Sequence, residues 1–419
     1  MSIFLLALLS LELKKSYAIE VIEWPLAISE VKNSNPEIRS AQESLEATKL
    51  TARASKGNYF PQVSGSLDYS RESSKIPSVS QSQISNQYSA SLKATETLFS
   101  GFQDQAKINQ ALSNVKIAQE TLNITLARVS YELKSAFANL YYSQELIALE
   151  KDITRRREEN LHLVELRFQS GRENKGSVLL SQAYLSQAQY EVLQAKNSHT
   201  NSQIQFAKIL GKSETTEIRV KEELPISNPP ILTDAFKIVL DTPEHRQSIA
   251  REEFSQEAIT LSRSSFFPSL NLVGGVAKAD TEWFPNKTET WNVGLNLSIP
   301  IFSGGHDYYS LQSSSATYRS SILDRIQVDQ TQWLKIQQAY HTLVESHEKL
   351  KVDENFLKAA VVRAEIARKK YNNGLTTFED WDLIENDLIN RQKNVLQSKR
   401  DRVIAEAAFE QACGKAVFQ

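Results

Sequence analysis

Cysteine and methionine are almost absent from this chain, and its charges nearly cancel. Of the 419 residues, the only cysteine is Cys413 and the only methionine is Met1. A single cysteine excludes an internal disulfide framework and a metal cluster built from cysteines. The net charge of −2 provides no basic field of the kind that nucleic-acid-binding proteins carry, so no nucleic acid is expected as a partner.

Long apolar segments are also missing. No apolar run reaches the length of about eighteen residues that a membrane-crossing helix needs. The N-terminus has only a short apolar stretch, Ile3–Leu11, followed by Ser16-Tyr17-Ala18. Residues 1–18 are therefore predicted to be a secretory signal peptide, although the usual positive charges before the apolar stretch are missing. A misassigned start or a frayed helix is the alternative.

Enzyme motifs are not present. HExxH, GxSxG and CxxC do not occur, and His341 and His347 are six residues apart, which places them off a common helical face. The stretch RFQSGRENKGSV (167–178) resembles a damaged phosphate loop, but Ser177 follows Gly176 where such a loop has lysine. No strand is predicted before it. We therefore expect no enzyme activity, no cofactor and no metal site.

What the chain does have is an internal repeat. Four short matches occur in the same order in both halves, offset by 207 residues before the presumed hairpin and by 203 after it. The pairs are NPEIR (35–39) with TPEHR (242–246), NYFPQVSGSL (58–67) with SFFPSLNLVG (265–274), LFSG (98–101) with IFSG (301–304), and LGK (210–212) with CGK (413–415). The order and spacing of these matches indicate a tandem duplication.

Each half contains two segments in which apolar and polar residues alternate. The clearest runs from Trp291 to Ile299, where Val293, Leu295 and Leu297 are separated by polar or small residues. Alternation of this kind is typical of a strand with one apolar face, so each half is predicted to carry one β-hairpin.

A helix of unusual length follows each hairpin. Neither glycine nor proline occurs from Gln103 to Gln169 or from His306 to Asn373, and apolar residues recur every seven positions in both stretches. Such helices would each extend for roughly 100 Å and favour coiled-coil packing. The first repeat is predicted at 19–211, with a helix, a β-hairpin at about 62–98, a long helix at about 103–169 and a return helix at about 177–210. A linker or equatorial segment follows at 212–241. The second repeat is predicted at 242–419, with a helix, a β-hairpin at about 269–301, a long helix at about 306–372 and a return helix at about 378–412.

Four strands of about ten residues have the right length to cross an outer membrane at a tilt. Four strands alone would leave two open edges, which lipid cannot satisfy because it offers no hydrogen-bonding groups. Membrane barrels have at least about eight strands. If the hairpins are inserted in a membrane, the chain must therefore oligomerise.

The order of these features resembles the TolC-type outer-membrane efflux proteins. The resemblance rests on NPEIRSAQ, the Phe-Pro entries to the strands, the LFSG and IFSG exits, the duplicated hairpins and the glycine turns after the long helices. It implies a mixed α+β membrane protein in which tandem-duplicated long α-helical hairpins form a coiled-coil α-barrel in the periplasm. Two β-hairpins per chain would contribute four strands to a twelve-stranded β-barrel in a homotrimer.

The resemblance also implies a function and partners. The chain would be the outer-membrane channel-tunnel of a tripartite efflux or type I secretion system in a Gram-negative bacterium. It would conduct substrates passively from an inner-membrane RND or ABC pump and a periplasmic adaptor to the outside. A soluble periplasmic coiled-coil scaffold or an adaptor-like protein is the alternative, although four alternating strands and the duplication count against it.

Candidate site residues follow from the same resemblance, and they fall into three groups. The implied groups are the periplasmic gate (Tyr371, Asp380, Asp382), the adaptor-docking tips (Ser170, Gly171, Arg172, Asn373, Gly374, Leu375) and the barrel–helix junctions (Pro61, Gly101, Pro268, Gly304). In the family, an aspartate at the position of Asp380 belongs to a carboxylate ring at the narrow end of the tunnel. Such a ring would favour cations.

Three departures from the family pattern concern the gate. Leu383 stands where a second ring aspartate is expected, Thr376 where a gate-linking arginine is frequent, and Ser177 where an aspartate pairs with the gate tyrosine. A closed state with weaker bonding is the hypothesis that follows. Glu379 and Asp380 have a simpler alternative role at the helix start, with Thr376 and Glu379 forming a capping box. Gly171 and Gly374 are predicted to have positive φ, and Asn174 is predicted to cap the next helix.

Overall fold

The structure is a computed structural model, and it describes residues 20–74, 83–212, 217–232, 234–283 and 285–418. The predicted signal peptide, residues 1–18, lies outside the described residues.

Eight α-helices account for most of the described chain. They are α1 (Trp24–Ser34), α2 (Pro36–Ser55), α3 (Gln103–Gln169), α4 (Lys175–Ile209), α5 (Ala235–Leu240), α6 (Pro243–Ser264), α7 (His306–Asn372) and α8 (Phe378–Ala412). The two 67-residue helices, α3 and α7, each precede a 35-residue helix. Two long helical hairpins therefore repeat along the chain, as predicted. None of the described helices combines the length and the apolar character needed to cross a bilayer.

The described strands form two sheets. They are β1 (Glu20–Ile22), β2 (Gln62–Ser74), β3 (Gln83–Phe99), β4 (Ile218–Val220), β5 (Ser269–Asp280) and β6 (Thr288–Ser298). The larger sheet has the order β2-β3-β5-β6 with antiparallel pairing throughout, while β1 and β4 pair in parallel. Ile299, expected at the end of the last strand, lies just beyond β6. Pro300 follows it and has no N–H with which to extend the ladder.

The pairing aligns the predicted apolar residues of both hairpins. Leu92 of β3 pairs with Val276 of β5, which in turn pairs with Trp291 of β6. The side chains of these three residues are all more than half exposed in a single chain. Because residues in register on neighbouring strands share a face, the four strands carry a continuous and uncovered apolar surface.

The chain divides into two compact units, and neither coincides with a repeat. The first comprises the residues up to Ser40 together with Asn123–Asp241 and Gln332–Gln419, while the second comprises Ala41–Leu122 and Thr242–Thr331. Each unit therefore draws on both halves of the sequence. The larger sheet lies within the second unit.

The core of the first unit is built on large apolar side chains from several helices. Trp24 meets Phe137 edge to face with ring centroids 5.3 Å apart, and Phe137 meets Phe206 in the same way at 5.9 Å. Phe137, Phe206 and Ile38 are completely buried in this cluster. Burying a side chain of this size contributes about 1.5–3 kcal/mol, so this cluster is a major source of stability for the unit.

Candidate functional site

The ends of the two long helices close with the same backbone turn, and both lie in the first unit. Gly171 and Gly374 have φ values of +73° and +72°, which a residue with a side chain adopts only at a cost. The amide of the residue after each glycine donates to a carbonyl five residues back. These bonds join Arg172 to Arg167 at 2.8 Å and Leu375 to Lys370 at 2.9 Å. The predicted positive φ at both glycines is confirmed, and the turns are of the Schellman type.

The helices that follow the turns begin with side-chain caps. Asn174 accepts a hydrogen bond from the backbone N–H of Ser177 at 2.9 Å, which confirms its predicted role. In the second copy the cap is Thr377, whose hydroxyl accepts from the backbone N–H of Asp380 at 3.1 Å. The predicted capping box of Thr376 and Glu379 is therefore wrong by one residue. Thr377 has the extended backbone of an N-cap, and its hydroxyl reaches the third residue of the helix.

Tyr371 is the centre of a packed cluster between the two tips. Its side chain is fully buried, and its ring stacks on that of Trp381 with centroids 4.4 Å apart. The guanidinium of Arg167 covers the ring, 4.5 Å from its centroid, and donates a 2.6 Å hydrogen bond to the Tyr371 carbonyl. A cation over an aromatic face, together with a charge-assisted hydrogen bond, joins α3 to the end of α7.

The hydroxyl of Tyr371 donates to a carboxylate of the opposite tip. The acceptor is Glu173 Oε2, at 2.9 Å. Burial of the phenol, followed by the hydrogen bond to Glu173, raises the pKa of Tyr371 far above its ordinary value. The hydroxyl therefore keeps its proton, and remains a donor, at physiological pH.

Glu173 was not among the predicted site residues, and it changes the interpretation of Ser177. The second oxygen of Glu173 accepts from the Ser177 hydroxyl at 3.0 Å and from the Asn174 backbone N–H at 3.0 Å. Loss of the family's aspartate at position 177 was expected to weaken the bonding of the tyrosine. Instead, Glu173 supplies the carboxylate and Ser177 holds it in place. The sequence signal for this role was an acidic residue next to the glycine turn, four positions before Ser177.

The remaining two gate candidates have different surroundings. Asp382 forms an ion pair with Arg157 at 3.1 Å, and the two side chains are only 12% and 8% exposed. Arg157 also lies over the ring of Tyr184 at 4.6 Å. Asp380, in contrast, is exposed, as is Leu383. Of the three candidates, Asp380 alone presents its carboxylate to the surface of the chain.

The six predicted tip residues all lie at the surface of the two turns. Ser170 is also part of the turn, because its hydroxyl donates to the Arg167 carbonyl at 2.9 Å. Leu375 is the most apolar of the six and is 73% exposed. The first turn thus presents Arg172 where the second presents Leu375.

The predicted junction residues lie in the second unit, next to the sheet. Pro61 and Pro268 immediately precede β2 and β5, and Gly101 and Gly304 lie between a strand and the following long helix. Both glycines have positive φ, +64° and +65°. Their surroundings differ, because a Cβ on Gly101 would come within 2.7 Å of the Phe267 Cβ, whereas a Cβ on Gly304 would meet nothing within 4 Å.

Metal-ligating side chains do not converge anywhere in the described part of the chain. No group of three or more His, Cys, Asp or Glu residues there is arranged to hold an ion.

Comparison with known proteins gives the family. The family described as outer membrane efflux protein matches residues 27–212 and 240–415, which is most of the chain. This chain belongs to the outer membrane efflux protein family. The two matched segments correspond to the two sequence repeats, and the resemblance to the TolC-type proteins is confirmed.

Individual relatives of this efflux protein are distant but extend over nearly its whole length. The solvent efflux pump outer membrane protein SrpC of Pseudomonas putida is 21% identical over 403 residues, covering 91% of this chain and 83% of SrpC. Outer membrane protein TolC of Vibrio cholerae is 22% identical over 404 residues, covering 92% of this chain and 89% of TolC. A crystal structure of CusC superposes with a TM-score of 0.84 at 16% identity, covering 94% of this chain and 92% of that one.

Family membership and fold together establish the general role. The chain is an outer-membrane channel protein of efflux or secretion systems, and members of the family are channels rather than enzymes. The predicted fold class, with its duplicated helical hairpins and four strands, is confirmed. Nothing in these comparisons favours the soluble scaffold.

Proposed function

We propose that three copies of this chain assemble into an outer-membrane conduit that opens into a periplasmic tunnel. The observation that carries this proposal is the four-stranded sheet. Within the described strands, each of the outer strands β2 and β6 has a hydrogen-bonded neighbour on one side only. The aligned apolar residues of the sheet are exposed in the single chain. Lipid cannot satisfy open edges, and about eight strands are the minimum for a membrane barrel. Three copies would supply twelve strands, as in the family.

The partners in this proposal are a periplasmic adaptor and an inner-membrane pump of the RND or ABC class. The adaptor would dock at the two glycine turns, whose six predicted residues are all exposed. Outer-membrane lipid would surround the strands. The conduit would use no cofactor and carry out no chemistry, because the direction of transport would come from the pump. Pro61, Gly101, Pro268 and Gly304 would form the junctions between strands and helices.

The gate in this proposal has two parts. Asp380, which is exposed in the single chain, would form a ring of three carboxylates at the narrow end of the tunnel and favour cations. The bond from Tyr371 to Glu173 would act as a latch between the two tips of one chain. The ion pair between Asp382 and Arg157 lies in the same unit, and its burial supports a structural role rather than one in the ring.

Cross-linking of neighbouring copies tests the assembly. One cysteine replaces Val63 in β2 and a second replaces Val293 in β6 of the same chain, in a Cys413→Ser background. The membrane-embedded protein is then treated with a short bifunctional thiol reagent. Closure of three copies predicts a ladder of species that ends at the trimer, and a detergent-solubilised particle with the mass of three chains. A protein that stays monomeric and appears in the soluble periplasmic fraction would contradict the proposal.

Single-channel recording tests the carboxylate ring. Asp380→Ala is expected to reduce the preference for cations, because three charges would be removed from one constriction. Glu379→Ala is the matched control, since it removes an exposed carboxylate of the neighbouring residue on the same helix. Unchanged conductance and selectivity in Asp380→Ala would rule out the ring while leaving the conduit intact.

A further inference from the structure

We infer that the first tip, residues 170–175, is a cationic docking surface that binds an acidic surface of its protein partner, whereas the second tip, residues 373–378, is not. This inference rests on the proposed docking role of the tips and specifies the chemistry of the partner. It comes from the side chains that each turn leaves exposed.

The first tip presents two cations that form no ion pair with a carboxylate of the described residues. Arg172 and Lys175 are both exposed, and within the described residues neither has a carboxylate oxygen within 4.0 Å of its charged nitrogen atoms. Glu173 lies between them in sequence and would be expected to neutralise one of them. The surface charge of this tip therefore depends on where the Glu173 carboxylate lies.

Both oxygens of Glu173 are used inside the chain. One accepts from the Tyr371 hydroxyl at 2.9 Å, and the other accepts from the Ser177 hydroxyl at 3.0 Å. A carboxylate held by such bonds is not free to move to Arg172 or Lys175 without breaking them. The internal latch thus holds the one carboxylate of the tip toward Tyr371 and Ser177, where Glu173 is partly buried, while Arg172 and Lys175 stay exposed.

The second tip has the same backbone and a different surface. Residues 373–378 read Asn-Gly-Leu-Thr-Thr-Phe and carry no charged side chain, and Phe378 is buried. Leu375, which corresponds to Arg172, is 73% exposed. One tip therefore offers two cations and the other a single apolar side chain flanked by amides and hydroxyls. The same partner surface could not be complementary to both.

An acidic protein surface suits the first tip better than an anionic membrane does. Recognition of anionic lipid by sequence-local charge uses clusters of about four to eight basic residues, and the tip has two. Arg172 offers a planar fork that can hold a carboxylate through two parallel hydrogen bonds. The Schellman turn presents this side chain from a closed backbone, so little backbone ordering is needed on binding.

Binding to defined probes tests the inference. Two synthetic helical hairpins of otherwise identical sequence carry either three aspartates or three lysines in the loop, and each is displayed densely on a sensor surface. The full-length protein in detergent is passed over both. The wild-type protein is expected to prefer the aspartate hairpin by about tenfold at low salt, with the preference lost at high salt.

Charge reversal at the first tip, and just before the second tip, supplies the matched comparison. R172E/K175E is expected to invert the preference, so that the lysine hairpin binds better. K369E/K370E makes the same change in charge on two exposed lysines just before the second tip, and it is expected to leave the preference unchanged. Equal binding of both hairpins to the wild type, binding of neither, or identical behaviour of R172E/K175E and the wild type would overturn the inference.

Two further measurements separate this inference from the proposals on which it depends. In the first measurement, vesicles of phosphatidylglycerol replace the hairpins. Stronger binding to the vesicles than to the aspartate hairpin would show that the tip binds a membrane surface and not a protein, which would overturn the inference. Single-channel conductance of the same preparation is recorded in the other. Normal conductance without hairpin selectivity would reject the cationic docking surface alone, whereas a protein that forms no channel would reject the conduit itself.

Discussion

Helices α2 and α6 begin with the same kind of N-cap but differ in the side chain that packs behind the cap. Asn35 and Thr242 each accept a hydrogen bond from the amide three residues later, and a proline follows each cap. The third helical residue is then Ile38 in one copy and His245 in the other. Ile38 is fully buried among apolar side chains. His245 is 7% exposed, and its Nδ1 lies 2.7 Å from Asp329 Oδ1.

This difference shows which features a duplicated chain retains. Caps and glycine turns satisfy backbone groups that every helix end leaves unpaired, so both copies need them. The side chains behind the caps are constrained only by the residues that they pack against. The position equivalent to Asp329 in the first copy is Leu126, which packs against the same apolar cluster as Ile38. Both members of the pair therefore differ together between the copies.

Exchanging the two buried residues, Ile38 and His245, is expected to have the largest effect on stability. Ile38→His would place an imidazole among apolar side chains, and we expect the free energy of unfolding to fall by about 3–5 kcal/mol. His245→Ile should cost only about 1–2 kcal/mol, because Asp329 keeps Arg325 at 3.6 Å. The loss of helical circular dichroism in urea, followed in detergent, measures both. Equal losses would show that the two environments are not distinct.

The two junction glycines, Gly101 and Gly304, are also equivalent in sequence but differ in their surroundings. Gly101→Ala is expected to destabilise the protein by about 2–4 kcal/mol, because the new methyl would overlap Phe267 and the Ser264 carbonyl, 2.7 and 2.8 Å away. Gly304→Ala has open space around it and should cost only the penalty for positive φ, about 1–2 kcal/mol. Urea unfolding midpoints of the two variants measure the difference. A larger loss of stability in Gly304→Ala than in Gly101→Ala would contradict the expected order.

Removing the latch, the hydrogen bond from Tyr371 to Glu173, should have a smaller effect on stability. Tyr371→Phe removes the hydroxyl that donates to Glu173 but keeps the ring stacked on Trp381, so we expect a loss of about 1 kcal/mol and a higher channel conductance. Tyr190→Phe is the control, because that hydroxyl belongs to an exposed ring and accepts from Gln194 at 3.0 Å. Conductance that is the same in both variants would show that the bond does not hold the tips closed.

The smallest expected effect concerns the LGK and CGK copies, where Leu210 corresponds to Cys413. Burial raises the pKa of the Cys413 thiol to about 11, so the folded protein should resist maleimide at pH 8 and react once urea unfolds it. The folded-state pKa lies above the ordinary value of 9.0, so stability from the neutral thiol holds below that pH and is lost as the pH rises through about 11.

Two cysteine variants calibrate the labelling. Leu210→Cys, at a position only 1% exposed, should be protected like Cys413, whereas Leu375→Cys, at a position 73% exposed, should react at once. These two variants are made in a Cys413→Ser background. Rapid labelling of Cys413 in the folded protein would contradict its burial.

Much of the fold was predictable because it depends on local patterns. Alternation at every second residue indicated the strands, and the absence of glycine and proline over 67 residues indicated α3 and α7. The glycine turns and the Asn174 cap were equally local. The Thr377 cap was misplaced by one residue because two adjacent threonines offer the same hydroxyl, and only backbone geometry distinguishes them.

The candidate site was less predictable, because its bonds join residues far apart in the chain. Glu173 and Tyr371 are 198 positions apart, and Arg157 and Asp382 are 225 apart. The pairing of Asp382 depends on α3 and α8 lying side by side. Family resemblance pointed to Tyr371 and Asp380 by position, but it could not indicate that one is buried and the other exposed.

The sequence alone therefore determined the duplication, the helices, the strands and the turns, because periodicity and turn chemistry operate over a few neighbouring residues. Tertiary structure decided which carboxylate holds Tyr371 and which charges remain on the surface of the first tip. Those outcomes depend on packing between segments that are distant in sequence. A charged side chain is neutralised or left exposed according to the neighbours that the fold brings to it.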